Sequence, residues 1–253
     1  ITSHTGRLNM KSRVIRVSAR NTVTIRRIMM RQSMAGRIVS GSKILPQPQR
    51  DIRIAAGEIF CFERRSEWQI IQQAALGKPY AAELLLISQS DIDAFAAQSP
   101  APRTFAFHTR PDAALAAVWQ KLAQTAEPER ADVLHLLALL DAQGWRFSQG
   151  ETLSATEKLE RLLAAQLHLP WTQTQAAAAL GLSVSTLKRH LHAEHTSFAV
   201  LLRQLRMENA LFLLMGQPIS VGTAAAACGY RSPGRFAAAF KQHFGFLPSE
   251  LQN

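Results

Sequence analysis

A chain of 253 residues, 47% of them hydrophobic, has the means to bury a substantial core, which excludes wholesale disorder. No run reaches the ~18 consecutive apolar residues of a membrane span, and no basic-then-apolar start resembles a secretory signal. The two cysteines, Cys61 and Cys228, are far apart and form no spaced set, so neither a disulfide framework nor a zinc site is expected and a reducing cytoplasm is the default compartment.

The formal charge of +11 invites a nucleic-acid reading, but its distribution qualifies it. Residues 1–50 hold eleven Lys/Arg and no acid, 51–170 hold eleven against fifteen acids, and 171–253 hold seven against three. The excess therefore sits in a basic leader, drawn here over 1–34, that is either disordered or upstream of the natural start. Met10, Met29, Met30 and Met34 are candidate starts, and an arm touching phosphates is the functional alternative.

From about 13 to 88 the pattern is strand-like: "RVIRV", "VTIRRIMM", "GRIVSG", "DIRI", "EIFCFE", "WQII" and "ELLLIS", many of them separated by Gly or Pro. That spacing predicts a small barrel or sandwich, placed at 35–143 with the helices that follow it. After Ser90, a candidate cap for "DIDAFAAQ", the period becomes helical. "PDAALAAVWQKLAQ" puts Pro111 at a first helical position, and "ADVLHLLALLDAQ" over 131–143 is apolar on most of its circumference. Such a helix needs two apolar neighbours: its own domain plus either a second subunit or another segment of the same chain. "WRFSQGETLS" (145–154) reads as a loop or linker, with the domain boundary drawn at 144–153, and 154–253 is nearly all helix.

Inside that last segment one pattern occurs twice. In "TQTQAAAALGLSVSTLKRHLHAE", Thr172 caps a short helix, Gly181 turns, and Ser183 caps a second helix from Val184. Leu182, Leu187 and Leu191 form its inward stripe, leaving Ser185, Thr186, Lys188 and Arg189 outside near its start. In "SVGTAAAACGYRSPGRFAAAFKQHF", Ser220 caps, Gly229 turns, Tyr230 fills the corner, and Ser232 with Pro233 starts the next helix on a Phe236, Phe240, Phe244 stripe. Short helix, tight turn and a second helix with a basic outer face is the layout of a helix-turn-helix, here at 172–193 and 220–243. Between them "SFAVLLRQLRMENALFLLMG" (197–216) reads as a strut of roughly 27 Å, approaching the ~34 Å between successive major grooves on one side of DNA.

The motifs "LGLSVSTLKRHL", "LLRQLRMENALFLL", "CGYRSP..F...F", "HFG" and "PSEL" resemble the DNA-binding domain of the AraC/XylS family of bacterial transcription regulators. "AEHTSF" and "ACGY" are most similar to its enteric virulence and acid-response branch. The resemblance covers the last hundred residues. It implies an α+β chain: an N-terminal cupin-like β-barrel with dimerisation helices, then an all-α domain with two helix-turn-helix units joined by a long helix. Gln173, Gly234, Arg235 and Leu247 depart from the family pattern, so its DNA sequence preference does not carry over.

These readings give DNA-contact candidates Ser185, Thr186, Lys188 and Arg189 in the first unit and Ser232, Gly234, Arg235 and Lys241 in the second. Arg203 and Arg206 on the strut are read as structural or solvated. His190, His192 and His195 lack the carboxylate or Cys partners of a metal site, and the barrel lacks the clustered His of a catalytic cupin, with His108 alone beyond it. Trp68, Phe60 and Phe62 are candidates for a pocket lining or plain core. The expected function is a non-enzymatic, cytoplasmic, nucleoid-associated regulator, an activator. It would bind double-stranded promoter DNA and, by resemblance, RNA polymerase, as a homodimer with a small-molecule effector and no cofactor. The alternatives are a small-molecule-binding barrel, or an anti-activator that heterodimerises with a relative and binds DNA poorly.

Overall fold

A computed structural model describes residues 11–95, 106–150 and 153–251. Short runs of alternating and β-branched residues build two antiparallel sheets. The five-stranded sheet has the order β1 (Arg13–Ala19), β8 (Tyr80–Leu86), β3 (Met34–Ser40), β6 (Ile59–Phe62), β9 (Ala106–Thr109). The four-stranded sheet has the order β2 (Val23–Met30), β7 (Ser66–Gln73), β4 (Ser42–Leu45), β5 (Ile52–Ala55). Gly41 turns the chain from β3 in one sheet to β4 in the other, with φ +77° and a Cβ position only 2.2 Å from the Gln73 carbonyl oxygen. Only glycine fits there.

The leader drawn over 1–34 needs correction. Arg13–Ala19 and Val23–Met30 are strands, β1 pairing with β8 and β2 with β7, and Val17, Ile25 and Met30 are buried in the barrel. In β1 alternation puts Arg16 outside and Val17 inside, and in β2 a register shift between Ile25 and Ile28 lets the adjacent Arg26 and Arg27 both face out. The part of the leader at 1–10 lies outside the described residues. β4 and β9 were not read from the sequence: β4 follows β3 across Gly41 alone and carries a buried lysine, and β9, Ala-Phe-His-Thr, lacks the apolar run that marks the equally short β5 and β6.

The outer face of the five-stranded sheet, with Val14, Ala35, Ile59, Cys61 and Leu85, is covered by α1 (Gln89–Ala94), α2 (Ala113–Leu122) and α3 (Arg130–Ala142). Two caps differ from expectation. Ser88, not Ser90, accepts the Asp91 N–H at α1, and Asp112 accepts the Leu115 N–H at α2, so Pro111 precedes the cap instead of opening the helix. In α3, Val133, Leu136, Leu137 and Leu140 are buried within this chain and Leu134 and Leu139 are half-buried. Trp145 and Phe147, expected in the linker, are buried in the same core, Trp145 stacking on Phe107 at 5.6 Å. The connection between domains therefore starts later than its polar composition suggested.

The helical module comprises α4 (Ala155–Ala164), α5 (Gln173–Ala179), α6 (Val184–Ala193), α7 (Phe198–Gly216), α8 (Val221–Ala227), α9 (Pro233–Phe244) and a closing 3-10 turn, Pro248–Leu251. Its two halves are packed differently. Leu201, Leu202 and Leu205, on the first half of α7, join Leu159, Leu163, Ala176, Leu187 and Leu191 in a core of their own. Met207, Ala210, Leu211, Leu214 and Met215, on the second half, join Phe236, Phe240 and Phe244 in a core continuous with the barrel interior. Arg206 sits where the halves meet. It donates to the Leu167 and Leu169 carbonyls at 3.1 and 2.8 Å and lies 6.0 Å over the Tyr230 ring. This arginine, read as structural or solvated, ties the end of the α4 region to the second corner.

Removing a fully buried aromatic ring from a core costs about 3–5 kcal/mol. Phe240→Ala is expected to lose that much stability and to speed hydrogen exchange of β2 and β7 together with that of α8–α9. Unchanged exchange in β2 and β7 would show that the two regions do not share a core.

Candidate nucleic-acid interface

Each corner is built by the same local chemistry. Thr172 and Gln175 form a reciprocal capping box at α5, Leu180 ends that helix, and Gly181 follows at φ +68°. The Ser183 hydroxyl accepts the Thr186 N–H at 3.1 Å and starts α6. In the second unit the Ser220 hydroxyl accepts the Thr223 N–H at 3.0 Å, and Ser232 accepts the Arg235 N–H at 3.3 Å with Pro233 in the first turn. Gly229, at φ +76°, is hemmed in: a Cβ there would lie 2.8 Å from Arg206 and 2.9 Å from the Leu167 carbonyl. The apolar sides of both second helices are fully buried, which fixes what faces out.

On α6, Ser185, Lys188 and Arg189 are exposed and Thr186 is half-buried. The Ser185 and Thr186 hydroxyls both hydrogen-bond Ser183, at 3.0 and 2.8 Å, so they are held at the helix start. On α9, Gly234, Arg235 and Lys241 are exposed and Ser232 is half-buried. A Cβ at Gly234 would meet nothing closer than the Ser232 hydroxyl at 3.9 Å, so packing does not demand glycine there, and its absence of a side chain bares the helix start. Among the described residues, Lys188, Arg189, Arg235 and Lys241 form no ion pair. Four uncompensated cations on two helix faces favour a polyanion.

Lys188, Arg189 and His192 also line a notch of about 560 Å³ between α6 and the start of α7, floored by Leu191 and Phe198 and edged by Gln173, Thr196 and Ser197. The Ser197 hydroxyl caps α7 through the Val200 N–H. A helix start beside three basic side chains suits a backbone phosphate. Among the described residues no group of three His, Cys, Asp or Glu could hold a metal ion.

Sequence reasoning missed a second feature, inside the barrel. Lys43 on β4 is buried, its Nζ 4.7 Å from the Phe60 ring centre, 5.8 Å from Phe62 and 5.7 Å from Tyr80. Burial alone pulls its ammonium down to about 7 from an ordinary 10.5. Beside it the Gln72 Oε1 and the Tyr80 hydroxyl are buried without hydrogen-bond partners. The space there is closed down to about 30 Å³, lined by Ile25, Met34, Lys43, Phe62 and, from α7, Leu211, Phe212 and Met215. The signal in the sequence was a lone lysine between Ser42 and Ile44, which alternation alone does not distinguish from a solvated edge residue. Of the three aromatics read as pocket lining or core, Phe62 is part of both, Phe60 belongs to the core and Trp68 packs against it.

Residues 176–253 match the model of a helix-turn-helix domain. The transcriptional regulator SirC of Salmonella typhimurium is 36% identical over 96 residues, which are 38% of this chain and 32% of SirC. The HTH-type transcriptional regulator GadX of Escherichia coli is 38% identical over 82 residues, 32% of this chain and 30% of GadX. The chain thus spans about a third of the length of these curated relatives. Over its whole length it has the fold of ToxT from Vibrio cholerae. The TM-score is 0.68 at 14% identity, with 97% of this chain and 98% of ToxT covered. A second ToxT structure, with unsaturated fatty acid bound, has a TM-score of 0.64 at 14% identity, covering 97% and 96%.

If Arg189 reads a base edge, Arg189→Ala weakens binding to a selected site by about 5- to 150-fold, the equivalent of ~1–3 kcal/mol, and relaxes one base position. Lys241→Ala, as a phosphate contact, weakens all sequences alike and lowers the salt slope by about one. Gel shifts at fixed salt concentrations measure both, and unchanged affinity in R189A would remove that residue from the interface.

Proposed function

We propose that this chain, whose C-terminal module is an AraC/XylS-family helix-turn-helix domain, is a sequence-specific transcription regulator that reads two successive major grooves of promoter DNA and is governed by an anionic lipid in its barrel. The observation that carries the DNA reading is the pair of capped helices, α6 and α9, with buried apolar sides and uncompensated cations outside. α7, with 19 residues, spans about 28 Å between the two corners, close to one turn of DNA. Arg189 and Arg235 are the base readers. Lys188, Lys241, Ser185, Thr186, Ser232 and the bare backbone at Gly234 position the phosphates. Activation through RNA polymerase and pairing of two copies through the half-buried Leu134 and Leu139 of α3 complete the reading.

The effector reading rests on Lys43. A buried ammonium that, among the described residues, has only aromatic rings around it calls for a counter-anion, and the surrounding walls call for an apolar tail. A long-chain carboxylate supplies both, the class bound by ToxT. The present space falls far below the ~300 Å³ at the small end of ligand pockets, so such a ligand must push Leu211, Phe212 and Met215 away from the barrel. Those residues lie on the helix joining the two reading units. Ligand entry therefore moves the strut.

Selection of bound duplexes from a random pool by the full chain tests the function. It is expected to enrich sites with two elements one turn apart, and recovery of no preferred sequence would refute it. Lys43→Met tests the effector. Because the ammonium is charged in the unfolded chain up to about 10.5 but in the folded one only below about 7, stability is lost as pH falls through that window. K43M should raise Tm by on the order of 5 °C at pH 7, with the gap narrowing toward pH 10, and should abolish the thermal shift given by oleic acid in the wild type. A K43M variant that still responds to oleic acid would place the anion elsewhere.

A further inference from the structure

The two helix-turn-helix units are attached to the barrel by different physics. The second unit shares an apolar core with it, through Met207, Leu211, Phe240 and Phe244 against Ile25 and Ile28. The first unit's core, Leu159, Leu163, Ala176, Leu187 and Leu191, contains no barrel residue. What joins α4 to the barrel is charge. Arg64 and Arg65, at the β6–β7 turn, both donate to Glu157, from Arg64 at 2.8 Å and from the Arg65 Nε at 2.8 Å. Arg31, between β2 and β3, donates to Glu208 of α7 at 2.8 and 3.2 Å, to Gln204 at 3.4 Å, and to Glu160 of α4.

We propose that this three-arginine clasp on Glu157, Glu160 and Glu208 is a release device: closed, it fixes the first helix-turn-helix unit relative to the second, and open, it leaves α4–α6 to Arg206 and the apolar core they share with the first half of α7, so that they loosen while the second unit stays seated on the barrel. A contact made of mostly buried ions is suited to this, because desolvation nearly cancels the attraction and small changes tip the balance. The composition of the clasp is uneven. Arg31 serves two carboxylates, Glu160 and the buried Glu208. Glu160 is faced by Glu157 from its own helix, by Glu208 from α7 and by Arg31 from the barrel; Glu208 is also faced by Glu67, and Arg31 by His243 of α9, which Arg203, Arg27 and Glu67 face in turn. Burial is the largest effect on Glu160, with Arg31 opposing it and the two glutamates adding to it, and its carboxyl is pushed up to about 7. The closed form thus holds a proton that the open form releases, so closure is favoured as pH falls through about 7 and weakened above it. Glu157, held down by Arg65, Ser154 and Arg64 against the effect of its burial, keeps its charge throughout that range.

The clasp acts on attachment and not on base reading, so its test is independent of the DNA assignment. Hydrogen exchange on the full-length chain tests it with two variants of opposite sign. R64Q/R65Q, which leaves the reading helices untouched, should speed exchange over 155–193 by about tenfold with 221–244 within about twofold of wild type. E160Q keeps a hydrogen-bond acceptor for Arg31 and removes the surplus charge. It should slow exchange over 155–193 and erase the acceleration that the wild type shows between pH 6 and pH 8, after correction for intrinsic rates. Equal change in both units, or no change in 155–193 with either variant, would overturn the clasp as a release device.

Discussion

The constraint on which the rest depends is that one helix, α7, belongs to two cores at once. Its first half closes the first helix-turn-helix unit through Leu201, Leu202 and Leu205. Its second half lies against the barrel through Leu211, Leu214 and Met215 and carries α8 and α9 with it. A stiff rod with a different partner at each end cannot move at one end without consequence at the other. The position of the reading helices and the state of the barrel are therefore one mechanical problem, with Arg206 as the tie between the α4 region and the second corner.

That arrangement gives the buried Lys43 a role it lacks as a piece of ordinary core. A lysine without a counter-ion inside an apolar barrel costs stability, and protein interiors tolerate such a group where a function returns the loss. The residues that close the space around it are those of α7. Displacing them acts on the second half of α7, and loosening the arginine clasp acts at its middle, through Gln204 and Glu208, and on α4, through Glu157 and Glu160. One acts through an apolar contact and the other through charge.

How much of this was legible depended on the range of the interactions. The helix-turn-helix units were readable almost to the residue, Thr172, Ser183, Ser220 and Ser232 capping where expected, because caps, turns and stripes act within four residues. The barrel strands were readable as a class, whereas β4, joined to β3 across Gly41 alone, and β9, without an apolar run, were not, although β5 and β6 are equally short. The basic leader was misjudged for a related reason. Charge was counted along the chain, while alternation in β1 and the register shift in β2 put Arg16 and Arg27 outside and Val17 and Ile28 inside. Arg31 and Lys43 were illegible, since what sets each apart is a partner or a lack of one far along the chain.

The most direct test of the account is a hydroxyl-radical footprint of the full-length chain on a duplex it has selected. Two reading helices held apart by α7 predict two protected segments on one face of the helix, centred roughly 10 base pairs apart, with R189A erasing one and R235A the other. A single protected segment, or two that both survive R189A, would contradict the placement of α6 and α9 in adjacent grooves.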